Sequence, residues 1–196
     1  MIIAFNAFRL WLTLSNFSAA RRIHYSRGKA QGQGKVQNLD TDVPALNRSR
    51  AALDCSGYVQ YVIYQGSSHK VRIPQGSYKQ QEWLEDGGCR AVGANDFVDQ
   101  ADVYAYEAAK RDDTVRIAFR ATDPKRKNSG GSESGGVGHV WLVINARTYE
   151  CTTRRGNGPN SFDFDARTSD VDSLYVLGPA PGFAGQGALP QASQDS

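Results

Sequence analysis

Cysteine, long apolar runs and an excess of one charge are what this sequence has least of. Only three cysteines occur in 196 residues, so at least one thiol is unpaired in the monomer. The sequence allows one disulfide between Cys89 and another cysteine but does not establish it. No stretch approaches the roughly twenty apolar residues of a membrane span. A net charge of +3 is too small for the basic surface of a nucleic-acid-binding protein. We therefore expect neither a membrane span nor a nucleic-acid partner.

Metal-binding clusters are also missing from the sequence. No group of cysteines and histidines has the spacing of a zinc site, so neither a metal nor another cofactor is expected. The composition is that of a globular chain, with 40% hydrophobic and 22% charged residues. At this length the chain can bury one proper core.

The order of the predicted elements indicates an α+β protein. Helical patterns occupy the first part of the chain, and β-rich runs follow. The predicted segments are an amphipathic helix over 4–22, helices from 55 and near 77, a helix over 99–113, and strands at 114–119, 139–144, 149–153 and 172–179. The turn residues at 154–160 are predicted to break the sheet, which we expect to be an antiparallel β-meander.

One cysteine lies directly ahead of a helical pattern. Asp54 is a predicted N-cap, which places Cys55 in the first helical turn. Apolar residues then recur at helical spacing, at Tyr58, Val59, Val62 and Ile63. The backbone dipoles at a helix N-terminus favour an anion, so Cys55 is a candidate nucleophile. The alternative is a buried structural cysteine.

A thiol nucleophile needs a base, and the chain offers three histidines. His24 and His69 lie in polar stretches and are expected to be solvated. His139 instead starts a buried strand directly after a glycine-rich loop, which makes it the candidate base. The alternative is a structural hydrogen-bonding histidine.

Together these segments resemble the NlpC-type family of papain-like bacterial cell-wall cysteine peptidases and amidases. The resemblance rests on LDCSGYVQYV at 53–62 and GHVWLVI at 138–144, with weaker similarity in IPQGSYKQQ at 73–81, and it covers roughly residues 45–178. It implies a papain-like fold with the nucleophile at a helix N-terminus. Two features depart from the family pattern. Gln75 replaces the usual arginine, and a Pro-Gly-Asp turn is missing ahead of the histidine strand.

The third member of the site depends on the turn between two strands. The family places a polar residue on the strand after the histidine strand, where this chain has Glu150 and Cys151 side by side. A turn with an even number of residues puts Glu150 on the same side as His139, whereas an odd number puts Cys151 there. Two-residue turns are the commonest, and a carboxylate stabilises an imidazolium better than a thiol does. We therefore predict Glu150, with Cys151 pointing into the core.

The resemblance implies a thiol-dependent hydrolase that cleaves an amide bond in peptidoglycan peptides. Cys55, His139 and Glu150 are its predicted catalytic residues. One alternative is a papain-like transferase or deamidase acting on a protein or lipid acyl group, and another is a non-catalytic binding module. The small size also resembles that of the amidase effectors of type VI secretion systems, which implies a toxin with an immunity protein as partner.

The expected organisation has three parts. Residues 1–44 form a helix and linker packed on the domain, 45–178 form the NlpC-type catalytic domain, and 179–196 form a disordered tail. The apolar N-terminal segment carries Arg9 and lacks a charged start, so a standard signal peptide is not favoured. Action in the periplasm or cell wall would then require export by another route.

Overall fold

A computed structural model describes residues 2–26, 36–87, 91–92, 113–121, 137–153 and 156–186. Cys89 lies outside these residues, as do nearly all of the helix expected over 99–113 and most of the loop 123–138. No helix among the described residues is long and apolar enough to cross a membrane.

Four helices and eight strands form the described structure. The helices are α1 (Ala7–Ala19), α2 (Val43–Arg48), α3 (Cys55–Gly66) and α4 (Ser77–Asp86). The strands are β1 (His24–Tyr25), β2 (Ala52–Leu53), β3 (Ala91–Val92), β4 (Thr114–Ala121), β5 (Val137–Ile144), β6 (Arg147–Thr152), β7 (Gly158–Asp163) and β8 (Ser173–Pro179). Two short 3-10 helices, Phe164–Asp170 and Ala184–Gln186, complete the list.

Short polar side chains begin three of the helices. Asn6, Asp42 and Asp54 each accept a hydrogen bond from a backbone N–H in the first turn of the helix that follows. Because Asn6 caps α1 and the backbone turns extended at Ala20, this helix is shorter than the predicted segment 4–22. Helices and an antiparallel sheet in one chain agree with the predicted α+β class.

The main sheet has six antiparallel strands in the order β3-β8-β4-β5-β6-β7. Strands β4, β5 and β6 are neighbours in the predicted meander order. The sheet differs from the prediction in two respects. Strand β8 returns to pair with the far side of β4, and the segment expected to break the sheet instead leads into β7. Pro159 is compatible with β7 because β7 is an edge strand of the sheet, where a missing backbone N–H breaks no ladder on the open side.

Both faces of the sheet are covered. The large core lies between the helices and one face, where Phe17 of α1 packs its ring 4.8 Å from that of Tyr58 in α3. A smaller cluster lies on the other face, where Phe164 of the 3-10 helix joins Trp141 and Val143 of β5. Successive residues of β5 therefore contribute to different cores.

The start and end of the described chain are packed on the sheet. Ile3 donates its backbone N–H to the carbonyl of Leu177 at 2.7 Å. Ala180 and Phe183, in the segment expected to be a disordered tail, are buried, and the 3-10 helix Ala184–Gln186 follows them. Residues 187–196 lie outside the described part.

Candidate active site

Cys55 is the first residue of α3. The Asp54 side chain accepts the N–H of Gly57 at 2.6 Å and the hydroxyl of Ser56 at 2.9 Å. These bonds fix the first turn of the helix. Cys55 is 7% exposed and is a free thiol. As the first N–H of a helix, the Cys55 N–H has no carbonyl one turn back to bind.

A two-residue turn sets the register of the hairpin β5–β6. Ile144 pairs with Arg147, and the turn residues Asn145 and Ala146 both have positive φ, at 46° and 63°. This is the pattern of the tight turn that matches the twist of a hairpin. The turn is even, as the sequence argument assumed. The same register places Glu150 opposite Trp141 and therefore on the side of the sheet that carries His139.

The structure brings Cys55, His139 and Glu150 together. Nε2 of His139 lies 2.6 Å from Oε2 of Glu150, and the imidazole also hydrogen-bonds the Cys55 thiol. Since Nε2 faces the carboxylate, Nδ1 is the ring nitrogen left for the thiol. Burial lowers the pKa of His139, but the bonds to Cys55 and Glu150 outweigh it and raise the pKa to about 8. The histidine is thus set to hold a proton at neutral pH.

Cys151 lies on the opposite side of β6 from Glu150. Its thiol is buried in the large core and contacts the carbonyl of Leu53 at 3.4 Å. Burial raises the pKa of the Cys151 thiol well above its usual value. Cys151 is therefore held as a neutral core thiol, and it is not paired with Cys55.

The other two histidines are remote from this group. His24 is exposed in β1. His69 stacks on Tyr64 with ring centroids 4.8 Å apart and contacts Gln65 at 3.0 Å on the exposed side of α3. The described residues include no group of three or more acidic, histidine or cysteine side chains that could hold a metal ion.

Sequence reasoning missed Arg167, which contacts Glu150. Arg167 is 2% exposed, and its Nε donates to Oε1 of Glu150 at 3.0 Å. It lies within DFDARTSDVD at 163–172, where one arginine stands among four aspartates. Such a segment is typical of solvated surface ion pairs, so its composition does not reveal the burial. A single cation among the aspartates was the only local signal.

Similarity to known proteins is found at the level of structure alone. No protein-family model matches the chain, and no curated protein matches it. Among solved structures it is similar to the peptidoglycan hydrolase RipB from Mycobacterium tuberculosis, at 18% sequence identity and a TM-score of 0.44. The match covers 87% of this chain and 65% of the RipB chain, so this chain spans less than two thirds of RipB.

Proposed function

We propose that the chain is a thiol-dependent hydrolase of the NlpC type that cleaves an amide bond in peptidoglycan peptides. The observation that carries this proposal is the contact of one histidine with both a helix-N-terminal cysteine and a buried carboxylate. That arrangement supplies a nucleophile, a proton carrier and a group that orients the carrier. The sequence resemblance supplies the substrate class.

Each side chain has a separate role in the proposed reaction. The Cys55 thiolate attacks the carbonyl carbon of the amide while the His139 imidazolium stays beside it. His139 then donates its proton to the leaving amine, and a water molecule later releases the acyl group from sulfur. Glu150 holds the tautomer and orientation of the ring. The oxyanion accepts a hydrogen bond from the Cys55 N–H at the start of α3.

Digestion of purified sacculi tests the reaction directly. We expect the wild-type chain to release fragments whose masses identify the cleaved amide, and Cys55→Ala to release none while it stays folded. Folding is checked by circular dichroism and thermal unfolding. Hydrolysis by the folded Cys55→Ala variant would remove Cys55 as nucleophile. A wild type that leaves sacculi intact but modifies glutamines in a protein panel would point to a deamidase or transferase.

An effector role is the finer part of the proposal. It rests on the resemblance to the amidase effectors of type VI secretion systems, and it implies action in the periplasm or wall and an immunity protein as partner. Expression with an added export signal should lyse a Gram-negative host, whereas the Cys55→Ala variant should not. Equal growth of both cultures would count against a toxin.

A further inference from the structure

Arg167 contacts both oxygens of the Glu150 carboxylate. Its Nε donates to Oε1 at 3.0 Å, and its Nη2 donates to Oε2 at 3.0 Å. The planar fork of a guanidinium matches the two oxygens of a carboxylate and fixes its plane. Oε2 is also the oxygen that lies 2.6 Å from Nε2 of His139. The arginine therefore orients the same oxygen that the histidine contacts.

Burial gives the arginine a second effect on Glu150. The Glu150 side chain is fully buried, and only 3% of the Arg167 side chain is exposed. Removal from water disfavours a charged carboxylate, whereas a cation at hydrogen-bond distance favours it. Arg167 thus offsets the cost of burying the Glu150 charge, and the same carboxylate faces the His139 imidazolium.

The guanidinium is itself held in place. Its Nη1 donates to the Asp170 carboxylate, and its central carbon lies 4.9 Å from the centre of the Trp141 ring. The same indole lies 5.4 Å from the His139 ring. Contacts on two further sides therefore limit rotation of Arg167, and Trp141 borders both Arg167 and His139.

A purely structural ion pair is the competing explanation. Many buried ion pairs do no more than keep a charge from being left unpaired. The shared oxygen distinguishes this pair, because displacement of the guanidinium displaces the atom that His139 contacts. The two explanations differ in whether a change at Arg167 reaches the histidine.

We propose that Arg167 is a positioning residue, which acts on His139 through Glu150 by holding the carboxylate Oε2 at the imidazole. The inference rests on the proposed thiol chemistry. It adds a fourth residue, from the 3-10 helix Phe164–Asp170, to the group formed by Cys55, His139 and Glu150.

Arg167→Lys is the main variant because it keeps the positive charge and removes the fork. Arg147→Lys is the matched control, since Arg147 pairs with Asp163 at 2.9 Å and Ser161 at 3.0 Å on the same sheet, away from the site. NMR titration follows the His139 ring, and iodoacetamide labelling at pH 7 follows the Cys55 thiol. We expect Arg167→Lys to lower the His139 midpoint by about one pH unit and the labelling rate about tenfold. Arg147→Lys should change neither.

A double variant separates positioning from a general structural effect. In the Glu150→Gln background, Arg167→Lys should change the labelling rate by less than about twofold. The reason is that the effects of substitutions at residues that act as one unit do not add. Two outcomes would overturn the proposal. One is an Arg167→Lys variant with the wild-type His139 titration midpoint and the wild-type Cys55 labelling rate. The other is a further tenfold loss of labelling rate when Arg167→Lys is added to Glu150→Gln.

A measurement on the wild type covers the case in which Arg167→Lys does not fold. The Arg167 Nε–H resonance should shift with the same midpoint as the His139 ring, and a flat resonance across that range would refute the coupling. None of these readouts uses peptidoglycan. Intact sacculi would therefore refute the proposed hydrolase and leave the Arg167 coupling standing, whereas an uncoupled Arg167 would leave the hydrolase standing.

Discussion

At the scale of single residues, the site is a line of alternating charges. The protonated His139 faces the Glu150 carboxylate, Glu150 faces Arg167, and Arg167 faces Asp170. Asp170 also lies 3.6 Å from the exposed Arg120. Each charge has an opposite neighbour, which offsets the cost of burying it. A change at one position is therefore expected to affect its neighbours, and single substitutions separate the roles only with matched controls.

We predict that His139→Ala lowers hydrolysis on the order of 10⁴-fold, because the thiol loses both its ion-pair partner and the proton donor. His24→Ala and His69→Ala should stay within about twofold of the wild type, since both histidines are exposed and remote from Cys55. Initial rates on sacculi, with folding checked by circular dichroism, measure this. A comparable loss in His69→Ala would mean that the base is misassigned.

Glu150→Gln should lower the rate by about 10²-fold, the scale of one lost electrostatic contact worth roughly 2.7 kcal/mol. The amide keeps the ring roughly in place but removes the negative charge that stabilises the imidazolium. Cys151→Ala is the control on the same strand, and it should cost some stability and leave the rate nearly unchanged. A large loss of activity in Cys151→Ala, with Glu150→Gln still active, would reverse the assignment of the third residue.

At the scale of elements, the hairpin decides which side chain meets the histidine. Asn145 and Ala146 form an even turn, and Glu150 follows on the side of His139. The sequence predicted this pairing because the side-chain period of a strand is two and the commonest turn has two residues. The first turn of α3 was equally predictable, since Asp54, Cys55 and Gly57 are local signals.

Other elements depend on contacts that no local pattern contains. β7 was missed because Gly156, Gly158 and Pro159 read as a turn, yet an edge strand accepts a glycine and a proline at its start. β8 was predicted as a strand, but its place beside β4 depends on the whole sheet. Arg167 was missed for the same reason, since its partner Glu150 is 17 residues away in the chain and on another element.

The length of the turn provides a test at this scale. Inserting one glycine between Asn145 and Ala146 makes the turn odd, which should turn Glu150 to the large core and lower activity at least as far as Glu150→Gln does. Inserting two glycines restores an even turn and should restore most of the rate. Relative initial rates on sacculi measure this. Equal activity of the two insertion variants would show that register does not select the third residue.

At the scale of the whole molecule, the site joins parts of the chain that are distant in sequence. Cys55 comes from the helical part, His139 and Glu150 from the meander, and Arg167 from the 3-10 helix on the far face of the sheet. The site therefore forms only when both cores form, because the large core carries Cys55 and the small cluster carries Trp141 beside His139. Folding and the charge state of His139 are consequently linked.

This linkage gives stability a pH dependence with a definite sign. Folding raises the pKa of His139 from 6.5 to about 8, so the folded state binds the proton more tightly. The resulting stabilisation is fully present below about pH 6.5 and is lost as the pH rises through 8, on the order of 2 kcal/mol in total. Urea unfolding at pH 6 and pH 9 measures the loss. The buried Cys151 thiol, whose pKa is also raised, adds a loss of the same sign at the alkaline end.

The His139→Gln variant isolates the histidine, because it keeps Cys151 and loses the titrating ring. We expect its free energy of unfolding to fall less between pH 6 and pH 9 than that of the wild type, with the difference on the order of 2 kcal/mol. His24→Ala should retain the full wild-type loss, since His24 is exposed in β1. Parallel curves for the wild type and His139→Gln would show that the proton on His139 is bound no more tightly in the folded state. The contacts with Cys55 and Glu150 would then contribute nothing to holding the imidazolium.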